Sequence, residues 1–154
     1  MVMGSFGHLL LNVLLLFSSF AQDSVEPEEV AHLLSASNRP RPTVIYVGFP
    51  SLYNGAHITG AILAGPASKP DGIDQLRQVV RGMPHNHAIV IYCGCCPFDK
   101  CPNIHPAYNA LQELGFSNVK VVVIKTNLHT DWVIKGYPTT KGPMPVAAAD
   151  VIKR

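Results

Sequence analysis

Four cysteines, Cys93, Cys95, Cys96 and Cys101, fall within one short stretch of the chain, with Gly94, Pro97 and Pro102 set among them. Isolated cysteines are mostly buried and inert, but a compact cluster points to sulfur, redox or metal chemistry. Cys93 follows an apolar run, Ala88 to Tyr92, of the kind that makes a buried strand. Beyond the cluster, Ala107, Ala110, Leu111 and Leu114 recur at helical spacing. A strand that passes through a tight loop into a helix aims loop amides at one point, beside the positive end of the helix dipole. A thiol held there is stabilised as thiolate, which makes Cys93 the expected nucleophile.

The remaining cysteines admit three readings. Cys95, Cys96 or Cys101 is placed to attack a persulfide or disulfide on Cys93, as a resolving thiol does, with Cys101 favoured. Adjacent Cys95 and Cys96 would form a strained ring if bonded to each other. In the second reading Cys93, Cys95, Cys96 and Cys101 are thiolate ligands for Zn²⁺ or Cu(I), although Cys-x-Cys-Cys-x4-Cys is not a standard zinc-knuckle spacing. In the third the loop is locked by disulfides and the domain is a non-catalytic binding module. Among the histidines, His57 is expected to make a structural hydrogen bond. His85 and His87 are expected to be solvated in a connector rather than to hold metal.

The elements that must position this loop follow from pattern. Pro27, Glu28 and Glu29 suit the start of a helix, with Val30, Leu33 and Leu34 as its apolar stripe. Thr43 to Val47 reads as a β-branched strand, Gly48 to Gly55 as a loop, and Ala56 to Leu63 as a turn into a short strand. Ile73, Leu76, Val79 and Val80 mark a second helix. Val119 to Ile124 is a further strand, and Asp131 to Lys135 a short helical turn carrying Trp132. Alternating strands and helices predict a parallel sheet with the active loop at a strand's carboxyl end.

Composition narrows the partners. The chain has 154 residues, enough for one domain with a sizeable core, and a net charge of +2 with no basic block, so nucleic acid is not an expected partner. Leu9 to Phe20 is mostly apolar but short for a bilayer span, and Ser19-Phe20-Ala21 supplies small residues where a signal peptidase reads. Residues 1–21 are therefore expected to be a signal peptide, 22–142 the domain and 143–154 a tail. The mature protein is expected to be periplasmic or secreted, with no membrane attachment after cleavage. No cofactor is expected.

Three segments together resemble the rhodanese-like, single-domain sulfurtransferase family. His57-Ile58-Thr59-Gly60-Ala61 is similar to its HIxGA turn. Ile89 to Cys93 is similar to the strand leading to its catalytic cysteine, and Trp132 with Gly136-Tyr137-Pro138 to its C-terminal segment. The likeness covers roughly residues 26–140. It implies an α/β fold with a central five-stranded, mainly parallel sheet flanked by helices. It also implies that Cys93 cycles between thiolate and persulfide, taking sulfane sulfur from a donor and passing it to a thiol or cyanide. Gly94, Cys95, Cys96, Phe98, Lys100 and His105 then form the substrate loop, and the partner is a small sulfur compound or a protein thiol. The loop is longer than is usual in the family and holds no arginine, with Lys100 its one fixed cation and His105 a second candidate. The family's usual Asp-x-Arg after the early strand reads Tyr46-Val47-Gly48 here. A bidentate guanidinium fits an oxyanion better than an ammonium does, which argues against thiosulfate as the natural donor.

Overall fold

The computed structural model describes residues 23–143. The expected signal peptide, and the expected tail apart from Pro143, lie outside these residues.

The elements run in chain order β1 (Ser24–Val25), α1 (Pro27–Ser35), β2 (Thr43–Tyr46), α2 (Pro50–Gly55), β3 (His57–Ile58), β4 (Ile62–Leu63), α3 (Pro70–Val79), β5 (Ile89–Tyr92), α4 (Ile104–Glu113), β6 (Val119–Val122) and β7 (Thr139–Thr140). Five strands form one sheet in the order β1-β6-β5-β2-β4, and every pairing in it is parallel. The expected five-stranded α/β architecture is therefore what the chain adopts. β5 is the centre, flanked by β2 and β6 in register with Ile45 opposite Ile91 and Ile91 opposite Val121. A separate two-stranded ribbon pairs β3 with β7, His57 opposite Thr140.

Strand periodicity divides the interior into two cores. Side chains alternate across a sheet, so Ile89, Ile91 and Cys93 face one side with Ile45, and there α3 and α4 cover them with Leu76, Ile104 and Leu111. Val90 and Tyr92 face the other side with Val44 and Tyr46, covered by Val30, Tyr53 and Trp132. The strand residues of β5 are all buried, as expected for a central parallel strand. Each large apolar side chain removed from water on either face contributes about 1.5–3 kcal/mol.

Three helices open on proline, Pro27, Pro50 and Pro70, where a missing N–H costs nothing. One of them corrects the sequence expectation: residues 50–55 are a helix, not loop. It is six residues long and buries only Tyr53, so it carries no readable apolar stripe. Leu114 likewise leaves the expected stripe of α4, because it sits at the helix end and is 36% exposed. Trp132 lies in a π-helical turn, His129–Val133, fully buried, and its indole N–H donates to the Pro138 carbonyl at 3.0 Å. No helix among the described residues is long and apolar enough to cross a membrane.

Candidate functional site

Cys93 comes directly off the carboxyl end of the central strand, the place where open parallel sheets bind their ligands. The chain then turns sharply at Gly94, whose φ is +79°. A β-carbon there would lie 2.8 Å from Leu128 Cβ, and the Leu128 amide donates to the Gly94 carbonyl at 2.9 Å. The turn thus needs glycine for both its dihedral and its clearance. Cys95, Cys96 and a single 3₁₀ turn, Phe98–Lys100, follow, and the chain returns to bury Cys101 at the start of α4.

The sulfurs gather closely. Cys93 Sγ lies 3.3 Å from Cys95 Sγ, and Cys95 Sγ lies 3.2 Å from Cys96 Sγ and 3.9 Å from Cys101 Sγ. The sulfurs of Cys93, Cys95 and Cys101 all fall within 4.8 Å of one another, a spacing suited to a soft metal ion. Cys96 is not part of that trio.

Asn103 was not singled out by sequence, and it organises the cluster. It occupies the N-cap position of α4 but does not cap its own helix. Instead its Oδ1 accepts from the Ser68 amide at 3.0 Å and its Nδ2 donates to Cys93 Sγ at 3.4 Å. It is wholly buried. Its side chain ties α4, the segment before α3 and the Cys93 sulfur into one unit. The amides of Asn103 and Ile104 are left to point at Cys101 Sγ.

That arrangement places the anionic charge differently from the sequence expectation. The neighbouring Cys93 thiol first, and then the Asn103 and Ile104 amides, hold Cys101 down to about 5. Cys101 first, and then burial, push Cys93 well above the usual thiol range, although the Cys95 amide works in the opposite direction. Of the two, Cys101 is the thiol favoured as thiolate and Cys93 the one favoured as thiol. Sequence spacing put Cys93 nearest the helix because it comes first after the strand. The 3₁₀ turn reverses that order by swinging Cys101 under the first turn of α4.

A cavity of about 600 Å³ opens over Cys93. Cys93, Gly94 and Cys95 form one wall, Ser51, Leu52 and Gly55 of α2 a second, and Asn127, Leu128 and His129 a third, with Tyr46 behind them. None of the described residues lining it is Lys, Arg, Asp or Glu. Gly48 makes room beneath the sulfur: a β-carbon there would sit 2.6 Å from Tyr46 Oη and 2.7 Å from Cys93 Sγ. Glycine in place of the arginine expected from the resemblance is thus what lets Tyr46 and Cys93 converge.

The other residues expected from sequence divide. Gly94 and Cys95 share the cavity wall with Cys93, while Cys96, Phe98, Lys100 and His105 do not line it. Lys100 and His105 are exposed, and Phe98 is packed beside the α3–α4 core. His57 makes the structural contact expected of it: its Nδ1 lies 2.8 Å from the Tyr53 carbonyl, and its ring stacks on Tyr53 at 3.7 Å. His87 Nε2 meets Thr43 Oγ1 at 2.8 Å and His85 packs edge-on to Phe116, so these two serve the fold. Asn127 and His129 come from the loop after β6. Their only sequence signal is position, at the carboxyl end of the strand beside β5.

Comparison with known proteins agrees with this geometry. The family model described as Rhodanese-like domain matches residues 26–123. A rhodanese-like domain from Anabaena sp. is 23% identical, with a TM-score of 0.57, over 78% of this chain and 80% of that one. A single-domain sulfurtransferase of Saccharomyces cerevisiae is 18% identical, with a TM-score of 0.56, over 88% of this chain and 98% of its own. A thiosulfate sulfurtransferase from Pseudomonas aeruginosa is 17% identical, with a TM-score of 0.56, over 85% of this chain and 23% of its own. At these identities the structural likeness is one of fold. No curated protein matches the sequence. The family match spans well over half of the chain and ends on the strand after the cysteine loop; the chain belongs to the rhodanese-like domain family.

Proposed function

We propose that this protein is an exported sulfurtransferase that carries sulfane sulfur as a persulfide on Cys93. The observation that carries the reading is the cavity over Cys93, at the carboxyl end of the central strand. Cys101, as the thiolate of the resting pair, takes the Cys93 proton, and the Cys93 thiolate so formed attacks the outer sulfur of a donor persulfide R–S–SH. The S–S bond of the donor breaks, Cys93–S–SH forms, and RS⁻ leaves with the proton held on Cys101 as RSH. A second thiol then removes the outer sulfur. Asn103 Nδ2, at 3.4 Å, supports negative charge on Cys93 as it develops.

The cavity wall carries no fixed cation, and Lys100 stands outside it. A dianion such as thiosulfate would lose its hydration there with no ammonium or guanidinium in exchange. The donor that fits is a neutral or singly charged organic persulfide, its carbon chain lying against Leu52 and Leu128.

The test is intact-mass measurement after reduced protein meets an organic persulfide, with excess donor removed. One sulfur atom taken from the donor per chain, read as added mass on Cys93 or as hydrosulfide released, with neither from Cys93→Ser, is expected. Removal of a nucleophile lowers turnover by on the order of 10³-fold or more. Equal sulfur uptake by Cys93→Ser, or neither added sulfur nor released hydrosulfide from the native chain, rejects the proposal and leaves a non-catalytic module.

A further inference from the structure

We propose that Cys101 discharges the Cys93 persulfide, so that the site reduces sulfane sulfur to hydrosulfide and closes a Cys93–Cys101 disulfide. This rests on the reading of Cys93 as sulfur acceptor and adds an activity that sulfur transfer alone does not require.

Access separates the two thiols. Cys93 and Cys95 line the cavity, but Cys101 does not, and it is 1% exposed. A donor in the cavity reaches Cys93 and never meets Cys101. A nucleophilic sulfur shut away in this manner has one kind of electrophile within reach, a sulfur carried by its neighbours. The Cys93 and Cys101 sulfurs already lie within 4.8 Å. A sulfur added to Cys93 from the cavity extends into that space, which Cys101 does not line. The Asn103 and Ile104 amides hold charge on Cys101 until it attacks.

The step balances without an outside oxidant. Cys101–S⁻ attacks Cys93 Sγ, the Cys93–Sγ–SH bond breaks, and HS⁻ departs into the cavity. Two thiol sulfurs are oxidised to the disulfide, and the sulfane sulfur takes the electron pair. A dithiol reductant then opens the disulfide for another cycle. The sulfurs must close from within 4.8 Å to about 2.05 Å.

Cys95 is nearer, at 3.3 Å, yet it is the poorer partner. Only Gly94 separates it from Cys93, and that residue is fixed at φ +79° against Leu128. A Cys-x-Cys bridge would have to deform this turn, and strained bridges are the more easily reduced. Cys95 instead shares the wall that faces incoming donor.

The experiment mixes reduced, full-length protein anaerobically with one equivalent of N-acetylcysteine persulfide. Hydrosulfide, intact mass and disulfide-linked peptides are read. Native protein is expected to release one hydrosulfide per chain, lose two hydrogens and yield a Cys93–Cys101 linked peptide. Cys101→Ser also lacks the base, so it is expected to take up sulfur more slowly but to keep it on Cys93, with hydrosulfide release reduced to background. A native-like melting transition shows that this variant is folded. A stable persulfide on native protein overturns the inference, as does a bridge from Cys93 to Cys95, to Cys96 or to N-acetylcysteine. A stable persulfide, or a bridge to Cys95 or Cys96, leaves the acceptor reading standing; a bridge to N-acetylcysteine, formed when Cys93 takes the inner sulfur of the donor and HS⁻ departs, removes it as well. Native protein with neither added sulfur nor a disulfide overturns both.

Discussion

The cysteine loop holds two pairs of the same side chain in opposite circumstances. Cys93 and Cys101 are buried, joined to α4 and to the segment before α3 through Asn103 and the helix amides. Cys95 and Cys96 stand further out, Cys95 exposed and Cys96 half-buried, and their hydrogen-bonding contacts are with other sulfurs. Cys101 is lowered to about 5, whereas Cys96 is raised to about 12, by desolvation first and then by its sulfur neighbours. Four thiols in one loop therefore have different chemistry, because the two amides at the helix start reach Cys101, whereas Cys93 meets a single loop amide. Proximity of sulfur to sulfur brings the atoms together; backbone direction decides which carries charge.

Removing the tie between the inner pair and the scaffold should break that contrast most. Asn103→Ala removes the acceptor of the Ser68 amide and withdraws the donor from the buried Cys93 sulfur, and should cost about 2–3 kcal/mol in denaturant unfolding. A loss below about 0.5 kcal/mol, a surface-like value, would show that the inner pair is no better anchored than the outer. Gly48→Ala presses a methyl onto Cys93 and Tyr46, and overpacking of this kind should cost about 2 kcal/mol. It should also slow alkylation of Cys93 in the native fold; unchanged melting and alkylation would deny the close approach at Gly48.

The electrostatic half of the contrast is sharpened by pH. Because the folded value for Cys101 is depressed, its stabilisation is full above the ordinary thiol range, about 8.5, and is lost as pH falls through about 5. Cys93 has the opposite sign: it is raised, so it keeps its proton in the fold and works against stability above that same range. Thiolate ultraviolet absorbance should therefore show one step near 5 in native protein. The step should vanish in Cys101→Ser and survive in Cys96→Ser; survival in Cys101→Ser would place the charge elsewhere. The smallest effect belongs to Lys100→Ala. The residue is exposed and outside the cavity wall, so stability should move by less than about 0.5 kcal/mol and sulfur uptake by less than about twofold. A larger loss of uptake would return the loop ammonium to the site.

Much of the fold was legible because its signals are local. The apolar runs of β2, β5 and β6, the proline opening α1, and the stripes of α3 and α4 can each be read within a dozen residues. Alternation along Ile89, Ile91 and Cys93 also says which face of the sheet receives the sulfur. The six-residue α2 was not legible, because one buried side chain in six leaves no period to detect. Asn103, Ser68 and His129 were missed for another reason. They lie on three different segments, and a polar residue near a cysteine in space leaves no trace in its spacing along the chain.

By itself, then, the amino-acid sequence determined that a cysteine would follow a buried strand and precede a helix, since hydrophobic period and turn residues act over short range. Tertiary structure decided which sulfur the helix amides meet, which one the cavity exposes, and that an asparagine from the helix start, rather than a cation from the loop, steadies Cys93. Those outcomes depend on how the 3₁₀ turn folds Cys101 back beneath α4 and on contacts across the sheet, such as the one joining Ser68 to Asn103. Directional hydrogen bonds and peptide dipoles act through space, and they exist only once distant segments have packed together.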